Sequence, residues 1–135
     1  MNYLDYAATT PVNAEVLEVI TKEMASFGNP SSVYRIGREQ KQKIERVKKA
    51  ILSELQASPH DAIIFTSSGS EGNNLVFESI REHFAKEKGH IIVSAVEHPS
   101  VRKPAEFLEQ EGFDVTYLAP NKDGIVTVSE IEEAL

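Results

Sequence analysis

Short apolar runs rich in β-branched residues alternate with helix-length segments in the second half of the chain, and this alternation constrains the fold most. Residues 62–66, 90–95 and 114–119 are predicted as buried strands, and helical patterns lie between them at about 71–86 and 100–111. Strands separated by helices are typical of a mostly parallel sheet with helices packed on its faces. We therefore predict an α/β fold.

The first half of the chain is predicted to be an arm followed by helices. Residues 1–12 have the composition of an extended arm, and residues 13–60 carry two helical patterns that end in a break around Pro59. Asn13 is expected to cap the first helix, and the second runs from about Tyr34 to Gln56. We place the start of a large α/β domain after them, over residues 61–135.

The end of the chain carries one more helical signal. Ser129 and Glu132 have the spacing of a capping box, which predicts a helix that begins at Ser129. This pattern reaches Leu135 after less than about two turns. We therefore expect the chain to be part of a longer protein.

Charge and composition argue against several classes of function. The formal net charge is −7, so attraction of nucleic acid is not expected. Half of the 14 lysines and arginines lie within residues 35–49, where they alternate with acids on a predicted helix, and we interpret them as a solvated face. No apolar run reaches the roughly 18 residues of a membrane-spanning helix. The first residues lack the pattern of a secretory signal, so we expect a cytoplasmic protein.

Residues 65–74 join a predicted strand to a predicted helix and are rich in serine and glycine. The first N–H groups of a helix lack acceptors inside the helix, and its dipole puts partial positive charge there, so the junction suits a phosphate monoester. Gly69 would let a ligand approach the backbone, and Ser70 would add a hydroxyl donor. The alternative is a plain turn with Ser70 as the N-cap, because the segment lacks the dinucleotide and P-loop fingerprints.

Four ordered segments resemble the cysteine desulfurase group of class-V aminotransferase-like enzymes, namely residues 3–11, 28–32, 66–74 and 96–100. Residues 111–118 are also similar, so the resemblance covers essentially the whole chain. It implies fold type I of the pyridoxal-phosphate (PLP) enzymes, with this chain as a partial large domain preceded by an arm and a helix. It also implies PLP as cofactor, a homodimer, L-cysteine as substrate, and a sulfur-acceptor protein.

The resemblance assigns roles to individual residues. Gly69 and Ser70 match the positions that hold the PLP phosphate through a backbone N–H and a hydroxyl. His98 matches the catalytic histidine that stacks on the pyridine ring and handles protons, and the alternative is a histidine at a strand end satisfied by the backbone. Weaker matches near the substrate pocket, which plain turn chemistry would also explain, are Ala8, Thr9 and Asn29. We assign no metal-binding residue.

Two groups that the reaction requires are absent from the sequence. The family lysine that binds PLP covalently follows a Ser-x-His motif that does not occur here, and the desulfurase step needs a cysteine thiolate, whereas the chain has no cysteine. We therefore predict an N-terminal fragment of a PLP-dependent cysteine desulfurase that is not competent alone, and we do not expect the isolated chain to hold PLP. Tyr34, where the family commonly has histidine, leaves the subfamily open.

Other interpretations stay open on the sequence. One is a free-standing, non-catalytic protein that binds phosphate, PLP or a partner protein; another is a fragment of a class-V aminotransferase or lyase. The resemblance also implies that residues 62–66 pair with a strand from later in the full enzyme, so they would expose a sheet edge here. We expect an isolated chain to be marginally stable, oligomeric or strand-swapped.

Overall fold

The computed structural model of the protein describes residues 2–58 and 60–135, so the break predicted around Pro59 lies outside the described residues, as does Met1. Within those residues the elements are α1 (Ala14–Met24), α2 (Arg35–Glu54), α3 (Gly69–His83), β1 (His90–Ser94), α4 (Pro99–Gln110), β2 (Asp114–Leu118) and α5 (Val128–Ala134). They divide between two compact units, Met1–Ile63 and Ile64–Leu135. None of the helices in the described ranges combines the length and apolar character needed to span a bilayer.

In the first unit, polar contacts join the end of α1 to α2. Asn13 caps α1 as predicted, because its Oδ1 accepts a hydrogen bond from the Glu15 N–H at 2.8 Å. The Lys43 ammonium of α2 donates to the Glu23 carboxylate at 2.7 Å and to the Ser26 hydroxyl at 3.2 Å. Among its described residues α1 buries none, so polar contacts rather than a shared apolar core connect it to α2.

The loop between α1 and α2 lies directly on Gly37. The Asn29 carbonyl accepts from the N–H and the hydroxyl of Ser32, at 3.0 and 2.9 Å, and the Asn29 Oδ1 accepts from the Ser31 N–H at 2.9 Å. This turn comes so near that a Cβ built on Gly37 would lie 2.1 Å from the Ser32 Oγ and 2.3 Å from the Asn29 carbonyl oxygen. Gly37 is buried, so its missing side chain is what lets the loop approach α2.

The second unit contains a β-α-β arrangement with a small apolar core. β1 and β2 are parallel, with His90 opposite Asp114 and Ser94 opposite Leu118. α4, which connects them, packs on both strands, while α3 packs on α4 and α5 on β2. The buried apolar residues come from α4, from β1 and from the residue before β2, and they are Val93, Ala105, Leu108 and Phe113. The predicted α/β class with a parallel sheet is confirmed.

The strand predicted at residues 62–66 is wrong. None of these residues is in a strand, and Ile64 and Phe65 are 71% and 57% exposed. A β-strand is defined by hydrogen bonds to a neighbouring strand, and the described sheet contains only β1 and β2. The segment keeps the apolar composition of a strand but has no partner among the described residues.

The last helix begins earlier than predicted. Thr127, not Ser129, is the N-cap of α5: its hydroxyl accepts from the Glu130 N–H at 3.4 Å, and the Glu130 carboxylate accepts from the Thr127 N–H at 2.7 Å. Two overlapping capping boxes exist in this stretch, and the helix uses the first, which places Ser129 inside it.

Candidate functional site

The start of α3 is capped by Ser68, so the alternative that Ser70 is the N-cap is wrong. The Ser68 hydroxyl accepts from the Glu71 N–H at 3.2 Å, and Ser70 lies in the first helical turn. The N–H groups of Gly69 and Ser70 also lie in that turn, where no acceptor inside the helix is available. A Cβ built on Gly69 would meet nothing within 4 Å, so the backbone there is open to a ligand.

The Glu71 carboxylate folds back onto the turn that precedes α3. It accepts hydrogen bonds from the hydroxyl and the N–H of Ser67, both at 2.6 Å. The Ser67 hydroxyl is the main cause, and the Ser67 N–H the second, of a pKa of Glu71 below its ordinary value of 4.5, while desolvation opposes the shift. The negative charge of Glu71 is therefore engaged with Ser67, and it fixes the turn that leads into α3.

This contact predicts an acid-sensitive start of α3. Because the folded pKa of Glu71 is lowered, its stabilising effect is present above the unfolded value of 4.5 and is lost as the pH falls through the folded pKa. Protection of the Ser67 amide against exchange, relative to its intrinsic rate at each pH, should therefore fall below that pH in the wild type and be less pH-dependent in Glu71→Gln. A Glu18→Gln control should keep the wild-type profile. An identical profile in Glu71→Gln would contradict the assignment.

His98 is the N-cap of α4 and keeps an exposed ring. Its Nδ1 accepts from the Ser100 N–H at 3.1 Å and lies 2.8 Å from the Ser100 Oγ. Pro99 follows as the first residue of the helix, a position where its missing N–H costs nothing. The Nδ1 of His98 therefore accepts a backbone hydrogen bond, as expected for the alternative in which this histidine is satisfied by the backbone. The exposed ring is accessible to a ligand, as the functional interpretation requires.

Ser70 and His98 border the same groove between α3 and α4. The groove has a volume of about 560 Å³ and its walls are largely apolar, with side chains from Phe77, Pro99, Pro104, Phe107 and Leu108. Lys103 also lines it, but its ammonium lies 2.7 Å from the Glu106 carboxylate and its side chain is 64% exposed. Ser70 and His98, two of the residues that the sequence singled out, thus line one groove.

The three weaker site residues belong to the first unit. The Ala8 N–H donates to the Asp5 carbonyl at 3.1 Å in a turn, Thr9 is exposed, and the Asn29 side chain is engaged in its own loop. These contacts are the turn chemistry that the sequence also allowed. A substrate-pocket role for them stays a prediction.

Asn73 and Ser100 were not predicted as individual site residues. The Asn73 Nδ2 donates to the Ser100 Oγ at 2.9 Å, which joins α3 to the start of α4 beside His98. The two residues are far apart in sequence, so no periodicity links them. Each residue lies in a segment that resembles the family, residues 66–74 and 96–100, and this resemblance was the signal that pointed to the region.

Comparison with known proteins gives consistent matches over the whole chain. A family model described as aminotransferase class-V matches residues 2–135. A cysteine desulfurase IscS of Dictyoglomus turgidum is 42% identical over 134 residues, which are 98% of this chain and 34% of that relative. A mitochondrial cysteine desulfurase of Eremothecium gossypii is 38% identical over 135 residues, 98% of this chain and 27% of that relative. The chain therefore spans about a third or less of these relatives.

Solved structures show the same likeness in three dimensions. A structure of SspA in complex with cysteine matches with a TM-score of 0.89 and 39% identity, over 100% of this chain and 39% of that chain. A NifS-like protein matches with a TM-score of 0.87 and 32% identity, over 97% of this chain and 36% of that chain. These similarities confirm the fold predicted from the sequence as part of a larger one.

Proposed function

This chain belongs to the class-V aminotransferase family, and we propose that it is the N-terminal part of a PLP-dependent cysteine desulfurase. The observation that carries the proposal is the groove in the second unit that Ser70 and His98 share. The whole enzyme would convert L-cysteine into L-alanine and transfer the sulfur to a cysteine thiolate, for iron–sulfur cluster or thio-cofactor assembly. We also propose a homodimer, which the family resemblance implies.

The donors at the start of α3 fit the phosphate of PLP. The N–H groups of Gly69 and Ser70 and the Ser70 hydroxyl would hold it, supported by the helix dipole and by the open space at Gly69. When bound, PLP supplies the electron sink for bond cleavage in the substrate. Ser68 already satisfies the Glu71 N–H, so the hydroxyl of Ser70 is not needed for capping.

His98 would provide a flat ring to stack on the cofactor and a group that moves substrate protons. We propose that the substrate approaches the residues of the first unit that match the pocket segments of the family: Ala8, Thr9 and Asn29. Because the chain contains no cysteine, the sulfur-accepting thiolate would come from another part of the enzyme or from the acceptor protein.

The test is PLP binding by the longer protein that carries this segment. Ser70→Ala should weaken PLP binding roughly 10- to 100-fold, because a hydrogen bond to a charged group contributes about 1.5–3 kcal/mol. The measurement is a titration of the cofactor-free protein with PLP, followed by the absorbance of bound PLP. Ser79→Ala is the matched control, since that hydroxyl donates at 2.8 Å to the Leu75 carbonyl within α3. Unchanged PLP affinity in Ser70→Ala would refute the phosphate assignment.

A further inference from the structure

A chain of hydrogen bonds runs from α3 to the imidazole of His98. Asn73 donates from its Nδ2 to the Ser100 Oγ at 2.9 Å, and the Ser100 Oγ lies 2.8 Å from the His98 Nδ1. We propose that Asn73 is a positioning residue that acts through Ser100 to hold neutral His98 in the tautomer with its proton on Nε2. The tautomer itself does not depend on the proposed function; its role in proton transfer rests on it.

The backbone of Ser100 determines which nitrogen of His98 is protonated. Its N–H lies 3.1 Å from the Nδ1 and can only donate, so the Nδ1 must offer its lone pair. A neutral imidazole with an acceptor at Nδ1 carries its single proton at Nε2. The hydroxyl of Ser100 is close enough to act as a second donor to the same nitrogen.

Asn73 keeps the Ser100 hydroxyl available as a donor to His98. A serine hydroxyl both donates and accepts, so alone it could present either its proton or a lone pair to the imidazole. The Asn73 amide N–H can only donate to the Ser100 Oγ, so it does not compete for the hydroxyl proton, which stays available to the Nδ1 lone pair that the Ser100 N–H already requires. An aspartate at residue 73 would have nearly the same shape, but its carboxylate would accept that proton instead.

The placement of Asn73 links the ring to the start of α3. His98 is exposed and on its own would rotate freely, whereas Asn73 and Ser100 are both partly buried. Asn73 lies one turn after Ser70 on α3, and Ser100 lies in the first turn of α4. The orientation of His98 is therefore tied to the helix whose first turn carries the proposed phosphate donors. In the proposed enzyme, this would leave Nε2 as the nitrogen that exchanges a proton with the substrate.

The tautomer is measured by long-range ¹H–¹⁵N correlation NMR of the ring nitrogens in this chain, with His98→Gln identifying the signals of His98 among the four histidines. At a pH where imidazoles are neutral, we expect a bare Nδ1 and a protonated Nε2. In Asn73→Asp the two nitrogen resonances of His98 should move toward each other, because a carboxylate at residue 73 would accept the Ser100 hydroxyl proton and leave an Oγ lone pair that favours a proton on Nδ1. Asn74→Ala is the matched control, since the Asn74 amide donates to the Ser70 carbonyl at 2.7 Å, and it should leave the His98 signals unchanged.

A protonated Nδ1 in the wild type, or unchanged His98 resonances in a folded Asn73→Asp chain, would overturn the proposal. The measurement requires no PLP, so its outcome is separate from that of the Ser70→Ala titration. If Ser70→Ala loses PLP affinity but Asn73→Asp leaves the tautomer of His98 unchanged, the desulfurase function is supported and the role of Asn73 is rejected. Unchanged PLP affinity in Ser70→Ala, together with shifted His98 resonances in Asn73→Asp, would keep the positioning role of Asn73 and reject the phosphate site.

Discussion

Replacing Leu108 with alanine should destabilise the second unit by about 2–5 kcal/mol. Leu108 is 1% exposed and lies on α4, the helix that packs on α3 and on both strands. The other buried apolar residues in the described part of the chain are few, namely Val93, Ala105 and Phe113. A core this small has little capacity to rearrange, so the substitution should leave a cavity as well as lose apolar burial.

The measurement is amide hydrogen exchange in β1 and β2, whose opening reports the stability of the second unit. Leu135→Ala makes the same chemical change at a side chain that is 88% exposed and should alter the exchange by less than about 0.5 kcal/mol. Leu108→Met, which conserves volume, should cost less than about 1.5 kcal/mol. An equal effect of Leu108→Ala and Leu135→Ala would show that α4 does not pack as described.

Replacing Gly37 with alanine should destabilise the first unit, although the same change in an ordinary helix stabilises it. The usual gain is roughly 0.5–1 kcal/mol, because alanine is the better helix former. At Gly37 the new Cβ would lie 2.3 Å from the Asn29 carbonyl oxygen, a backbone atom, and 2.1 Å from the Ser32 Oγ. The loop would have to move away from α2, at a cost of about 3 kcal/mol, the upper end for overpacking.

Gly72→Ala provides the matched control for Gly37→Ala. Gly72 is inside α3, and a Cβ built there would lie at an ordinary contact distance of 3.5 Å from the Thr66 Oγ1. This variant should show the normal gain of roughly 0.5–1 kcal/mol. Amide exchange in α2 and in α3 measures the two effects separately. Stabilisation by Gly37→Ala would contradict the close approach of the Asn29–Ser32 loop.

Elements that depend on nearby residues were predictable from the sequence. The cap of α1 at Asn13 and the β-α-β order follow from local hydrogen bonding and side-chain periodicity. The strand predicted at residues 62–66 was wrong because a strand needs a partner strand, and composition does not reveal whether one is present. The predicted start of α5 was wrong because two capping boxes overlap and the local spacing fits both.

The candidate site was predictable to a similar extent. Family-like segments identified Gly69, Ser70 and His98, and the structure places Ser70 and His98 on one groove. The Asn73–Ser100 hydrogen bond was not predictable, because it depends on how α3 packs against α4 and not on a spacing within either helix. That the hydroxyl of Ser70 is not needed for capping likewise became clear only from the structure, in which Ser68 is the cap.

The most direct test of the proposed function is L-alanine formation from L-cysteine by the native polypeptide that carries this segment. The polypeptide would be captured from source cells with an antibody against this region, sized on a denaturing gel, and assayed with and without PLP. We predict a polypeptide well beyond 135 residues that forms alanine from cysteine only when PLP is bound. A captured polypeptide that neither binds PLP nor forms alanine would contradict the assignment as a cysteine desulfurase.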